Sequence, residues 1–122
     1  MSQDTLGDRM KAYEQAGTAA KLMPLLPAII RLDGRGFSGF TKGLATPFDK
    51  RLRTCFDNVT IALIEETNAV MGYHQSDEIS LCLYQSHNDQ QLYFDGRVFK
   101  ITSALAALAS FGVLQGSREA VA

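Results

Sequence analysis

Val70-Met71-Gly72-Tyr73-His74-Gln75-Ser76-Asp77-Glu78-Ile79-Ser80-Leu81-Cys82-Leu83-Tyr84 is the stretch on which the fold turns. Ile79, Leu81 and Leu83 alternate with Ser80, Cys82 and Tyr84. Alternation with a period of two marks a strand with one buried face. Residues 70–75 read as another strand. Ser76-Asp77-Glu78 lies between the two and is placed at a tight connection.

Upstream, Ala28-Ile29-Ile30-Arg31-Leu32 is a short apolar run ending at Asp33-Gly34, the pattern of a buried strand that meets a turn. Gly34, Gly36 and Gly39 keep the next segment close and irregular. A helix start follows: Thr46 suits the N-cap, Pro47 the first helical position, and Asp49 stands three residues after the cap. Leu52, Phe56, Val59 and Leu63 then recur at helical spacing, and the helix fades near Asn68. Downstream, residues 85–91 form a polar loop. A second helix runs from Arg97 to about Ala109, with Val98, Ile101, Leu105 and Leu108 on its buried face. Residues 5–22 read as a short N-terminal helix, which Pro24 and Pro27 separate from the first strand.

The order strand, helix, strand, strand, helix predicts an α+β fold, with most of the ferredoxin-like split βαβ arrangement: an antiparallel sheet with two packed helices. After the second helix only Val113-Leu114 can begin a fourth strand, and Gly116 is expected to stop it. Residues 1–122 therefore read as a single, partial domain, truncated before its last strand. Its first strand would lie at an open sheet edge. Residues 113–122 are expected to form a tail, disordered from Ser117 onward.

Composition narrows the function classes. The chain has 122 residues, of which 46% are hydrophobic, enough for one small globular domain. A net charge of −1 and a pI near 6.1 are not the strongly basic footprint of a dedicated nucleic-acid binder. Basic residues nevertheless gather in one stretch: Arg31, Arg35, Lys42, Lys50, Arg51 and Arg53, opposed there by Asp33 and Asp49. Apolar runs such as residues 104–109 read as too short to span a bilayer, and the polar first twenty residues do not form a secretory signal. Cys55 and Cys82 lack CxxC spacing and read as core thiols in a reducing compartment. A soluble, cytoplasmic protein with no membrane partner is expected.

Two carboxylates carry the candidate chemistry. Asp33 ends one strand, Asp77 sits between two others, and in a split βαβ sheet the first and third strands are neighbours. Both carboxylates then meet at one end of the sheet. Hard divalent cations such as Mg²⁺ bind through a few carboxylates, backbone carbonyls and phosphate oxygens. Two such ions about 4 Å apart can hold the attacking and leaving oxygens of a phosphoryl transfer. Gly34 lets the backbone come close, so its carbonyl is a further candidate ligand. Spacing alone favours two ordinary turn aspartates over a metal site.

Arg97 and Lys100 are placed in the first turn of the second helix, three residues apart on one face. Cations there oppose the helix dipole, at roughly 0.3–1 kcal/mol each, and a bound anion would reverse that penalty. The competing account has Asp95 cap the helix and neutralise both. Glu78 and Ser76 are candidates for positioning metal and phosphate. His74 and His87 read as structural, and Phe37 and Phe40 as either a base pocket or core.

Four segments occur in order: Leu6-Gly7-Asp8-Arg9-Met10-Lys11-x-Tyr13-Glu14, Arg31-Leu32-Asp33-Gly34-Arg35-Gly36-Phe37, Gly72-Tyr73-His74-Gln75-Ser76-Asp77-Glu78-Ile79-Ser80 and Gly96-Arg97-Val98-x-Lys100. Together they resemble the tRNA-histidine guanylyltransferase family, especially its bacterial, archaeal and phage-like members, over about residues 5–112. The resemblance implies a polymerase-like palm that adds guanosine nucleotides to the 5′ end of tRNA in the 3′-to-5′ direction. The 5′-phosphate is first activated with ATP or GTP, and the 3′-hydroxyl of an incoming GTP then attacks it. Asp33 and Asp77 match the carboxylates for two Mg²⁺ ions, with the Gly34 carbonyl as a backbone ligand and Glu78 as the acidic residue beside them. Ser76, Arg97 and Lys100 match positions that hold the triphosphate, and Arg31, Gly34, Arg35, Gly36 and Phe37 join the nucleotide-binding set.

The resemblance also implies a homo-oligomer, a tetramer in many members. Thr46 stands where the family usually has Lys, and the family's C-terminal H-I-N-N-L-Y-N motif is absent. Two other functions compete: a catalytically silent nucleotide- or RNA-binding fragment of such an enzyme, and a palm-type nucleotide cyclase-like domain.

Overall fold

The structure is a computed structural model in which residues 4–36 and 50–121 are described. The expectations for Phe37, Gly39, Phe40, Lys42, Thr46, Pro47 and Asp49 fall outside those residues. The elements are α1 (Leu6–Thr18), β1 (Ala28–Asp33), α2 (Lys50–Thr67), β2 (Met71–Gln75), β3 (Glu78–Leu83), a 3₁₀ turn (Tyr93–Gly96) and α3 (Val98–Val121).

The strands form an antiparallel sheet of order β1-β3-β2, so the first and third strands are neighbours as the split βαβ reading requires. Alternation in β3 is realised in full. Ile79, Leu81 and Leu83 are buried, while Glu78, Ser80 and Cys82 lie on the opposite, half-open face. Register aligns Ile30, Leu81 and Gly72 across the three strands. Gly72 lets α2 pack closely there, since a Cβ on it would stand 2.7 Å from Ile64 Cδ1 and that side chain would have to shift.

Helices α2 and α3 pack on the face that carries Ile30 and Leu81. The core joins these to Cys55, Phe56, Val59 and Leu63 of α2 and Ile101 and Leu105 of α3. Each such side chain contributes about 1.5–3 kcal/mol by leaving water. Thr60 and Thr67 are buried within the α2 face, and their hydroxyls donate to the carbonyls of Phe56 and Leu63 at 2.7 and 2.8 Å. The expected α2 face thus holds, with Leu52 partly buried at its rim. Of the two thiols, Cys55 is in the core, but Cys82 is only half-buried and faces away from it.

Three expectations are corrected. Helix α1 stops at Thr18 rather than reaching residue 22. The segment after it extends instead, with Val98 N–H donating to Ala20 O (3.0 Å) and Leu22 N–H to Gly96 O (2.8 Å). Next, α3 does not end near Ala109; it continues through Val113-Leu114 and Gly116 to Val121, where a strand start and a disordered tail were expected. Gly116 is no terminator. A Cβ there would lie 2.5 Å from Cys55 Sγ, and one on Gly112 would lie 3.0 Å from Val59 Cγ2, so these glycines let α3 press onto α2. Finally, Val98–Arg118 is long and apolar enough to cross a membrane by length and composition, with mean hydropathy 1.5, contrary to the view that every apolar run is too short. Ile101 and Leu105 of that helix are spent on the core.

Candidate active site

Sheet register places the two predicted aspartates at the same end of the sheet, but it sets Asp33 opposite Glu78 rather than Asp77. Asp33, the last residue of β1, pairs with Glu78, the first of β3. One step beyond, Gly34 N–H donates to Asp77 O at 3.1 Å, so the ladder runs on into the turn. The Asp77 side chain lies directly against the Gly34 backbone: a Cβ on Gly34 would stand 2.8 Å from Asp77 Oδ2. Any larger residue would displace that carboxylate. Asp33 and Gly34 are exposed and Asp77 is half-buried, so the group opens to solvent at one end of the sheet.

The connection between β2 and β3 is a two-residue turn. Such turns need positive φ, and Ser76 supplies it at 55°. A non-glycine residue held there carries strain of order 1–3 kcal/mol, and strain of this kind tends to gather at functional sites. Arg35 and Gly36 follow Gly34 as exposed residues, with Gly36 at φ 63°.

Arg31 and Glu78 lie on the sheet face away from the helices and form an ion pair. The Glu78 carboxylate, and to a smaller extent Asp33, raises the Arg31 pKa above its ordinary value. Glu78 is therefore already engaged by a cationic side chain, a pairing the sequence reading did not foresee.

The donor set suits a hard cation. Among the described residues no cluster of three or more His, Cys, Asp or Glu side chains could hold a metal. Two carboxylates and the Gly34 carbonyl are on offer. Mg²⁺ is commonly bound by one or two carboxylates, with water and substrate phosphates completing its shell, so this set fits Mg²⁺ rather than Zn²⁺.

Arg97 and Lys100 stand elsewhere, at the start of α3. Arg97 is the residue just before the helix and accepts from Ile101 N–H at 3.0 Å, and Lys100 is in the first turn. The first turn carries no acidic residue. Asp95 does not cap it; it pairs with Lys21 at 2.9 Å, which lowers the Asp95 pKa. Among the described residues no hydrogen bond or ion pair joins Arg97 or Lys100 to the carboxylate end.

Sequence reasoning missed the left-handed turn at Phe94 and Asp95, for which Asp95-Gly96 was a local turn signal, and the Lys21–Asp95 bridge, for which no local signal exists. His74, expected to be structural, has its Nε2 2.5 Å from Asp57 Oδ1 and its ring 6.0 Å from that of Phe56. His87 is exposed, its carbonyl accepting from Gln90 N–H.

Known proteins align with this geometry. A bacterial tRNA(His) guanylyltransferase-like protein solved in complex with GTP is 38% identical, with a TM-score of 0.86 over 95% of this chain and 54% of that one. A bacterial protein of the same description in complex with ATP gives 38% identity and a TM-score of 0.85, over 95% and 51%. An uncharacterized protein of Acanthamoeba polyphaga mimivirus is 34% identical over 114 residues, 88% of this chain and 39% of that protein. The chain thus spans about half the length of the structures it matches and less of the viral relative. The family model described as tRNAHis guanylyltransferase matches residues 7–121, and on that match the chain belongs to the tRNAHis guanylyltransferase family.

Proposed function

We propose that this chain carries the metal- and nucleotide-binding part of a nucleotidyltransferase that adds guanosine nucleotides to the 5′ end of tRNA in the 3′-to-5′ direction. The observation that carries the proposal is the packing of the Asp77 carboxylate on Gly34, one residue from Asp33. Asp33, Asp77 and the Gly34 carbonyl would hold Mg²⁺, as two ions, which would neutralise phosphate charge and lower the pKa of an attacking hydroxyl.

The chain's own residues do the rest. Ser76 offers its hydroxyl to phosphate from the strained turn. Arg97 and Lys100 take the triphosphate at the start of α3, where an anion relieves their conflict with the helix dipole. Arg31, Arg35, Gly36 and Phe37 complete the nucleotide site, and Glu78 orients Arg31. In the overall reaction a tRNA 5′-phosphate is activated by ATP or GTP. The 3′-oxygen of an incoming GTP then bonds to that 5′-phosphorus as the activating group leaves, and the hydroxyl proton passes to solvent. The setting is the cytoplasm. The protein is a homo-oligomer, a reading supported by Leu108, Phe111 and Leu114, which stand exposed along α3.

The test uses tRNA lacking its 5′ nucleotide, bearing either a 5′-monophosphate or a 5′-triphosphate, with labelled GTP and Mg²⁺. Incorporation that disappears in Asp33→Ala and Asp77→Ala supports the proposal; incorporation that survives in both overturns it. Nucleotide binding without incorporation on either substrate would instead fit a silent binding fragment, a reading favoured by the half-length match to the solved relatives.

A further inference from the structure

Immediately before α3 the chain holds an improbable turn. Phe94, Asp95 and Gly96 stand in succession at φ 48°, 52° and 71°. Gly96 adopts this region freely, but Phe94 and Asp95 do not, so their surroundings must enforce it. Those surroundings are defined. Leu22 N–H donates to Gly96 O at 2.8 Å, Val98 N–H to Ala20 O at 3.0 Å, Lys21 pairs with Asp95 at 2.9 Å, and the Tyr93 hydroxyl donates to Glu66 at 3.1 Å.

The turn lets one residue reach two cations. The Phe94 carbonyl accepts from Arg97 twice, from its backbone N–H at 3.0 Å and from its Nε at 3.3 Å. The Phe94 ring lies under Lys100, with Nζ 5.5 Å from the ring centre. Neither hold exhausts the cation. A ring takes no ammonium proton outright, and the Arg97 bond uses Nε alone, which leaves the donors on its terminal nitrogens free. Both side chains are steadied with donors still to offer, although Arg97 also lies close enough to Asp95 to act on its charge.

We propose that Phe94 is a positioning residue for the triphosphate of the bound nucleotide, steadying Lys100 with its ring and Arg97 with its carbonyl before the nucleotide arrives. The proposal rests on the assignment of Arg97 and Lys100 to phosphate made above. Long flexible cations lose rotamer freedom when they bind, and steadying them beforehand raises affinity by reducing that loss.

The test measures GTP and guanosine binding, with Mg²⁺ present, to the 122-residue chain and to Phe94→Leu, Phe94→Tyr, Lys100→Met, Arg97→Met and the Phe94→Leu/Lys100→Met pair. Phe94→Leu keeps the carbonyl and removes the ring. It should weaken GTP binding by about 2- to 5-fold, the reach of one exposed cation–ring contact. Guanosine binding should not change, Phe94→Tyr should retain wild-type affinity, and Phe94→Leu should add nothing once Lys100 is Met. In the wild-type NMR spectrum the Lys100 side-chain methylene protons nearest the ring should be shifted upfield, a readout that needs no variant to fold. Unshifted protons, an equal loss for guanosine, or full additivity in the pair would overturn the positioning role while the effect of Lys100→Met upholds the phosphate assignment. GTP binding unchanged by both Lys100→Met and Arg97→Met would overturn the assignment, and the positioning role with it.

Discussion

At Gly34 a missing methyl group makes room for a carboxylate. The Asp77 Oδ2 atom occupies space that any side chain at position 34 would contest, at 2.8 Å from a Cβ placed there. Gly34→Ala should therefore move the carboxylate by a few tenths of an ångström or more. Misplacement near 1 Å in a reacting geometry can cost about 100-fold in rate. Guanosine incorporation by Gly34→Ala should fall on that order, while its melting temperature stays close to wild type because the position is exposed. A variant that melts early but retains activity would place the role of Gly34 in folding instead. Arg31 offers a second case. It pairs with Glu78, and its charge also bears on Asp33. Arg31→Gln removes one positive charge beside the carboxylates, and a unit charge about 4 Å from a divalent ion in water is worth about 2 kcal/mol, on the order of 30-fold in a binding constant. Divalent-cation binding should tighten by that order in a calorimetric titration; weaker binding would show that Arg31 supports the site by holding Glu78 in place.

Among the elements, α3 departs furthest from its sequence pattern. Its first half was legible in part: of the expected face Val98, Ile101, Leu105 and Leu108, Ile101 and Leu105 are buried and Val98 is half-buried, but Leu108 is exposed because the core ends short of it. Its second half was not, because Gly116 carries the same letter whether it ends a helix or admits a neighbouring one. Only the position of α2 decides, and there the Cys55 sulfur sits 2.5 Å from a would-be Cβ. Gly116→Ala should lose about 1–3 kcal/mol by overpacking, despite the helix propensity of alanine. Adding Cys55→Ala should recover most of that loss in urea unfolding, whereas simple addition of two losses would contradict the contact. The end of α1 and the turn at Phe94 were hidden for a related reason, since the backbone bonds that fix them join residues 20–22 to 96–98. The start of α1 is local. Thr5 and Asp8 form a reciprocal cap, and the Thr5 hydroxyl holds the Asp8 carboxyl below the usual carboxylate range. A depressed carboxylate pKa means that the cap is intact above the ordinary value and is lost as pH falls through the lowered one. Amide exchange in the first turn of α1 should accelerate over that acid window, and Thr5→Ala should remove the pH step. No buried residue ties α1 down, so the change should stay within the helix.

Across the whole molecule, topology was the most legible layer. Alternation in β3, a polar turn and two helical faces are enough to choose a split βαβ sheet, and that sheet then brings Asp33 and Asp77 to the same end. The partner of Glu78 could not be read in this way, because a cross-strand pair depends on register and one residue of slip moves every side chain to the other face. Nor does periodicity show which faces remain open: Ile29, Met71 and Tyr73 stay more than half exposed on the sheet face away from the helices. The most direct test of the central claim counts bound cation. With GTP present, Mn²⁺ substituting for Mg²⁺ can be titrated into the chain while electron paramagnetic resonance reads the free ion. The wild type should bind Mn²⁺, and an Asp33→Asn/Asp77→Asn variant of unchanged melting temperature should bind it at least about 10-fold more weakly, a tenfold loss corresponding to about 1.4 kcal/mol. Equal binding by the two proteins would contradict the account.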